Sequence, residues 1–353
     1  MKWTRNFFTA ALLVLGCAAL FHPAAAQNAD DDASASAVAR FNVATNLVKV
    51  PISVFDERGL MTDRLRKEDF RLWEDQAQQE IRSLDLDTSS ISVLLLLDTS
   101  PSSKSELEKI KSAARNFVDK LGRDDRVSII TFDENVNLIL DWAGKSKAKD
   151  ALGRRGGIQT GLRTALYDAM YLAAVEQMRG IDEPKAIILL TDCVNNHSRV
   201  NFEEAALAIA QSRASFYLIS KTTMVKEQAR QVRRVAIIED IYREMFGEEM
   251  NSVNGFFDRR EKEMTDLASI TGGRVFFPAN YDSIRNVYAE IARELKHKYY
   301  LTYVSNQELI PDSWRRIAVE YLSPASEVLY RRGYYYLPQT TRRVLAPAFA
   351  RPR

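Results

Sequence analysis

Four short apolar runs through the middle of the chain set its architecture: ISVLLLLD (91–98), RVSIITFD (126–133), KAIILLTD (185–192) and SFYLIS (215–220). Each is too continuous for a strand with one face in water and suits a central strand of a largely parallel sheet covered on both faces. Patterns of helical period lie between them, over 106–121, 164–178 and 202–212. This alternation predicts a doubly wound, Rossmann-like α/β fold with a mostly parallel sheet. NVNLILDWA (135–143) follows its predecessor too closely for a crossover helix and is expected to pair antiparallel at a sheet edge. Past Ser220 a charged helical stretch covers 224–263, with Val225, Ala229, Val232 and Ala236 on one stripe. It reads as a helix laid on its own domain or, alternatively, as a partner surface. GGRVFFP (272–278) supplies a last strand, and a helix over 281–296 closes an α/β domain that spans 90–298.

The flanks change period. LVKVPISVFDERG (47–59) alternates, with Val48, Val50, Ile52 and Val54 on one face and a turn at its end. DFRLWEDQAQQEIRSLDL (69–86) can supply two more short strands around a turn at Asp75 and Gln76, which makes 43–89 an N-terminal β segment. Residues 299–339, with YYLTYVS, RRIAVEYLSP and EVLYRRGYYYLP, form a second one rich in Tyr and Val. Two β segments on either side of an α/β domain are expected to pack together as a small β domain. The tail, 340–353, mixes arginines with prolines and alanines and is expected to be disordered.

The first residues read as an address rather than as structure. Lys2 and Arg5 precede the apolar run FFTAALLVLGCAALF, and HPAAAQ offers small residues for cleavage after Ala26, as in a secretory signal peptide over 1–26. A polar linker, 27–42, follows. The alternative is a lipid anchor on Cys17 after VLGC, but AALF prolongs the apolar run where a polar tether would be expected. Elsewhere no stretch approaches the roughly 18 apolar residues of a membrane span, so the expectation is an exported protein, periplasmic or extracellular, with no transmembrane span. Once the leader is removed Cys193 is the only cysteine, which excludes an internal disulfide. A net charge of +2 on 353 residues gives no electrostatic ground for nucleic-acid binding.

Candidate chemistry gathers at the strand ends. In open α/β sheets the ligand site lies outside the carboxyl ends of the strands, which is where Asp98 and Asp192 stand. If their strands are neighbours, about 4.8 Å apart, both carboxylates approach one point and repel unless a cation lies between them. Ser100 and Ser102 alternate in the following loop, and Thr164 precedes a helix in another. Oxygen donors of this kind favour a hard cation, Mg²⁺ with Mn²⁺ or Ca²⁺ as alternatives, and the sequence offers no His/Cys cluster for zinc.

DTSPS (98–102), Thr164 and the aspartate of LLTD (189–192) together resemble the three loops of the von Willebrand factor A domain, whose metal-ion-dependent adhesion site follows the pattern DxSxS, a lone threonine, then an aspartate. More narrowly, the chain resembles the bacterial VWFA-related proteins of the acidobacterial type, through LRKEDFRLWED, TALYDAM, LASITGGRVFFP and the β segments quoted above. The resemblance implies a metal held by Ser100, Ser102 and Thr164, with Asp98 and Asp192 acting directly or through water. It also implies one open position filled by an acidic residue of a protein partner, hence metal-dependent protein binding rather than catalysis. The pattern has departures: Pro101 and Ser103 replace a frequent glycine and methionine, Gln76 replaces a turn glycine, and Cys193 stands where a glycine commonly follows. Cysteine tolerates positive φ poorly, so an altered loop backbone is expected there.

Other readings compete. An aspartate with hydroxyl residues after a strand is also an ordinary helix N-cap. Asp168 in the first turn of its helix complements the helix dipole, His197 reads as a solvent-facing loop histidine, and Cys193 as a structural thiol. A strand ending in DTS is also how Mg²⁺-dependent phosphoryl-transferring hydrolases present a nucleophilic aspartate. That chemistry wants a second acid where this chain has Ser100, and the chain carries no GxSxG, HExxH or P-loop motif. A third alternative is an envelope scaffold whose metal site is vestigial.

Overall fold

The computed structural model describes residues 46–154, 157–182, 184–231, 253–308, 310–323 and 327–336. The expected leader and linker (1–42) and the tail (340–353) lie outside the described residues. In chain order the strands are β1 (Leu47–Phe55), β2 (Phe70–Glu74), β3 (Ala77–Gln79), β4 (Ile81–Leu86), β5 (Ser92–Asp98), β6 (Arg126–Phe132) and β7 (Val136–Ala143). They continue as β8 (Lys185–Thr191), β9 (Ser215–Ser220), β10 (Val275–Phe276), β11 (Tyr299–Val304), β12 (Trp314–Tyr321), β13 (Glu327–Tyr330) and β14 (Gly333–Tyr335). The described helices are α1 (Leu107–Lys120), α2 (Lys145–Gly153), α3 (Leu166–Leu172), α4 (Phe202–Ser212), α5 (Thr222–Gln231), α6 (Val253–Thr271) and α7 (Ile284–Lys296).

The apolar runs build one six-stranded sheet in the order β10-β9-β8-β5-β6-β7. All its pairings are parallel except β6 with β7, the antiparallel edge arm. Every residue of β5 is buried, and pleating explains why a run of leucines suits it. Val93, Leu95 and Leu97 face one layer, with Ile110 and Phe117 of α1 and Tyr288 and Ile291 of α7. Leu94 and Leu96 face the other, with Leu166 and Met170 of α3, Ile209 of α4 and Met264 of α6. Each buried leucine contributes roughly 2 kcal/mol of apolar transfer. Helix α4 begins at a capping box, in which Glu204 N–H donates to Asn201 Oδ1 (2.8 Å) and Asn201 N–H to Glu204 Oε2 (3.0 Å).

Two helical expectations change in detail. The span 164–178 is α3 followed by a π-helical turn, Ala173–Gln177, and Thr164 lies outside the helix. The described residues of the stretch 224–263 lie in α5, up to Gln231, and in α6, from Val253, and α6 runs on to Thr271 because Met264, Leu267 and Ala268 keep its stripe in the core. Of the proposed stripe, only the Val225 side chain falls among the described residues.

The β segments form two four-stranded antiparallel sheets, ordered β13-β1-β11-β4 and β14-β12-β2-β3, so strands from both ends of the chain share each sheet and alternate in the first. Val50, Ile52, Val54, Leu72, Leu301, Tyr303, Ile317 and Tyr334 fill the space between them. The span 69–86 holds three strands, where two were expected, because the chain leaves one sheet after β3 and joins the other as β4. Asp75 and Gln76 make the two-residue turn between β2 and β3, with φ of 45° and 73°, the left-handed pair of a tight hairpin. On the α/β side, Gly273 lies so close to β9 that a Cβ there would stand 2.0 Å from the Phe216 carbonyl oxygen.

Candidate functional site

Strands β5 and β8 are parallel neighbours with Leu97 opposite Leu190, which brings Asp98 and the residues just after β8 to one edge. Asp98 and Asp192 are both buried. Asp98 Oδ1 accepts the Ser100 N–H (2.8 Å) and Oδ2 the Thr191 hydroxyl (2.8 Å). Asp192 Oδ2 accepts the Ser102 hydroxyl (2.6 Å) and Oδ1 the Val194 N–H (3.1 Å). The Ser100 and Ser102 hydroxyls are 3.2 Å apart, which completes a chain of oxygens from one carboxylate loop to the other. Ser102 is exposed, so the chain opens to solvent there.

Thr164 reaches the same edge through its backbone. Its N–H donates to Asn196 Oδ1 (2.8 Å), and its carbonyl accepts the N–H groups of Asn196 and His197 (3.0 Å each), tying its loop to the one after Asp192. Glu134 Oε2 supports that loop from below, accepting the N–H groups of Leu162 (2.7 Å) and Arg163 (3.1 Å); these bonds hold the Glu134 carboxyl below its usual range. Gly161 N–H donates to the Thr99 carbonyl (3.2 Å), a third tie between loops. Beside them Leu162 stands 84% exposed.

Asp168 stands in the first turn of α3, as expected, and has a further task. Its Oδ1 accepts the N–H groups of Arg199 (2.8 Å) and Val200 (3.0 Å), so it anchors the chain after Asp192. His197 Nδ1 lies 3.3 Å from Arg163 Nη1, at the exposed rim. Cys193 departs from expectation in an informative way. The loop backbone keeps the left-handed conformation at φ 64°, and the cysteine accepts it. Its side chain is buried in the second core layer, and burial, with the Asp192 charge, pushes the thiol up.

Two residues enter the site without having been singled out in the sequence. Lys221, the residue after β9, is fully buried; its Nζ donates to Ser103 Oγ (2.6 Å) and Ser102 Oγ (3.3 Å) and lies 3.5 Å from Asp98 Oδ2. Burial alone would lower its pKa, but the charges of Asp98 and Asp192 outweigh that and hold the ammonium above the usual lysine range. Burial in turn raises the Asp192 carboxyl, against the pull of Lys221. The second is Tyr281, whose hydroxyl donates to the Ser102 carbonyl (3.5 Å). The strand-end rule that located Asp98 and Asp192 also marks Lys221, since it directly follows SFYLIS. Nothing in the local sequence marks Tyr281, which arrives from the far side of β10.

The cluster fits a hard cation. Two buried carboxylates and neighbouring hydroxyls converge, and the Lys221 ammonium shows that these oxygens already accept a positive charge. Among the described residues no group of three or more His, Cys, Asp or Glu side chains is placed to hold a metal, so a cation here would depend on hydroxyls as well as on the two carboxylates.

The family model for the von Willebrand factor type A domain matches residues 92–290, the six-stranded sheet and most of its helices. The chain belongs to the von Willebrand factor type A domain family. An uncharacterized protein of Synechocystis sp. is 34% identical to it over 115 residues, which are 30% of this chain and 26% of that protein. The chain thus spans about a quarter of the length of the curated relative it matches. Among solved structures it is similar to proximal thread matrix protein 1 of the mussel byssus in a form with a zinc occupied MIDAS motif, at 15% identity and TM-score 0.44, covering 64% of this chain and 50% of that one. It is also similar to BatB from Bacteroides thetaiotaomicron, at 18% identity and TM-score 0.40 over 59% of this chain and all of that one. A von Willebrand factor type A protein from Catenulispora acidiphila matches at 13% identity and TM-score 0.40, covering 80% of this chain and 76% of that one.

Proposed function

We propose that this von Willebrand factor type A chain is a metal-dependent protein-binding module whose ligand set is Asp98, Ser100, Ser102, Thr164 and Asp192. The observation that carries the reading is the hydrogen-bonded run from Asp98 through Ser100 and Ser102 to Asp192, which puts two buried carboxylates at the carboxyl edge of adjacent parallel strands. Held there, Mg²⁺, Mn²⁺ or Ca²⁺ would supply a Lewis-acidic position for an anionic group, and an acidic side chain of a protein partner is the group that suits it. Exposed Leu162 and Arg163 at the rim offer such a partner an apolar contact and a positive charge. The pattern at residues 1–26 supports export to the periplasm or beyond, and none of the described helices is long and apolar enough to cross a membrane.

Binding is favoured over hydrolysis because the position two residues after Asp98 is a serine, and His197, in the loop after Asp192, contacts Arg163 at the rim. The test is thermal unfolding of the chain lacking its leader. Mg²⁺ or Mn²⁺ raises the Tm of the wild type, and Asp98→Ala and Asp192→Ala abolish the rise. An equal rise in the variants sinks the reading, and Mg²⁺-dependent phosphate-ester hydrolysis lost in Asp98→Ala would replace it with the enzymatic one.

A further inference from the structure

The site contains a cation of its own. Lys221 is fully buried, its Nζ is 3.5 Å from Asp98 Oδ2 and 3.3 Å from Ser102 Oγ, and its shortest bond, 2.6 Å, is to Ser103 Oγ. Ser103 is one of the departures from the family's loop pattern. The hydroxyl that replaces a frequent methionine is the group that seats the ammonium, so the two features form one device.

We propose that Lys221 is a tethered counter-cation that sets the site's specificity: it weakens divalent-metal binding and makes that binding depend on an anionic ligand. The argument is charge balance. Asp98 and Asp192 bring two negative charges and Lys221 returns one, so the cluster carries one negative charge. A divalent cation then leaves a surplus positive charge in a buried place, where unbalanced charge is costly. A single carboxylate from the partner removes that surplus. Without the lysine, metal alone would neutralise the cluster, and an added carboxylate would leave it negative. Lys221 therefore favours metal and acid arriving together and disfavours a metal-loaded site with no partner. The position of the ammonium at Ser102, where the chain of oxygens opens to solvent, puts it beside the route by which both would enter.

This inference rests on the metal reading above, and one experiment separates the two. Mn²⁺ binding is measured by the loss of the free-ion EPR signal for the full chain without its leader, as wild type, Lys221→Met and Lys221→Gln, with and without acetate as the anionic probe. Glutamine is one atom shorter but keeps a neutral donor on the side of Ser103, so a second uncharged variant is available if methionine destabilises the loop; circular dichroism checks both. The expected result is Mn²⁺ affinity at least about tenfold higher in the two variants than in wild type, given charges this close. Acetate should tighten Mn²⁺ binding in wild type and fail to do so in the variants. Equal Mn²⁺ affinity in all three, or equal acetate dependence, overturns the role of Lys221 and leaves the metal reading standing. No Mn²⁺ binding by any of the three overturns both.

Discussion

Strand β9 has a buried lysine beside each end, and the two are held in opposite ways. At the amino end Lys298 Nζ donates to Tyr217 OH (2.9 Å) and Ser215 Oγ (3.2 Å), both on β9, and to the Gly272 carbonyl (3.4 Å) just past α6. Tyr217 OH donates onward to Glu294 Oε1 (2.6 Å), whose other oxygen takes Arg274 Nε (3.2 Å). Burial and the Glu294 charge raise the Tyr217 phenol well above its usual range, so it stays a donor. At the carboxyl end Lys221 faces Asp98, the last residue of β5, and Asp192, just past β8, together. At the amino end Glu294 is shared by Tyr217 and Arg274, which also pairs with Glu290, while at the carboxyl end two buried acids face one buried lysine. A polar network closed on itself only stabilises; one left a charge short has something to exchange with a ligand.

The strongest test of that contrast removes an acid from the closed end. Glu294→Ala leaves the buried Tyr217 hydroxyl without its acceptor and takes one of the carboxylates from Arg274, which keeps Glu290, and about 3 kcal/mol of stability should be lost in urea unfolding. Mg²⁺ should restore none of it. A Mg²⁺-dependent recovery would show that the two ends do not differ as argued.

The same substitution at both lysines sharpens the comparison next. In EDTA, Lys298→Met and Lys221→Met should each cost about 2 kcal/mol, the first by leaving polar acceptors unpaired and the second by leaving two buried carboxylates uncompensated. Adding Mg²⁺ should recover the loss in Lys221→Met alone. Unfolding midpoints with and without Mg²⁺ decide it, and parallel behaviour of the two variants would dissolve the distinction.

The open end was legible in the sequence and the closed end was not, for a physical reason. Continuous apolar runs mark buried parallel strands, and an acid at the end of such a run marks the sheet edge, so Asp98 and Asp192 follow from pattern alone. Lys298, Tyr217, Glu294 and Arg274 come from separate parts of the chain, Tyr217 on β9 and Glu294 on α7, and pairings of that kind depend on how those parts stack. The same limit applied to the β segments. Their alternation marked them as strands, but the interleaving of β1 between β11 and β13 depends on contacts made across nearly the whole chain. Thr164 was identified from its loop, yet what holds it, Asn196 and the Glu134 carboxylate beneath the loop, belongs to two other loops.

A smaller effect has the opposite sign. Asp192 carries the negative charge that Lys221 does not balance, and burial raises its carboxyl. In Asp192→Asn the amide can donate to Ser102 Oγ while its carbonyl still accepts the Val194 N–H, so the hydrogen bonds survive and the surplus charge goes. The metal-free variant should gain about 1 kcal/mol and lose its Tm rise with Mg²⁺. A loss of stability in EDTA would mean that the acid excess is compensated within the fold, against the charge balance argued for Lys221.

The smallest expected effect probes how the open end keeps its shape. Cys193 N–H donates to Thr191 Oγ1 (3.1 Å), which donates to Asp98 Oδ2 (2.8 Å), so the backbone at Cys193 helps to aim the first carboxylate. It does so at φ 64°, a conformation that costs a residue bearing a Cβ roughly 1 kcal/mol or more. At an ordinary position Ala is the more stable of the pair Ala and Gly by up to about 1 kcal/mol. Here the order should be erased or reversed. Cys193→Gly sheds the strain and Cys193→Ala keeps it, while both lose the buried sulfur. Urea midpoints of the two variants compare them directly, and an alanine variant ahead by the usual margin would show that the loop holding Asp98 and Asp192 is not strained at Cys193.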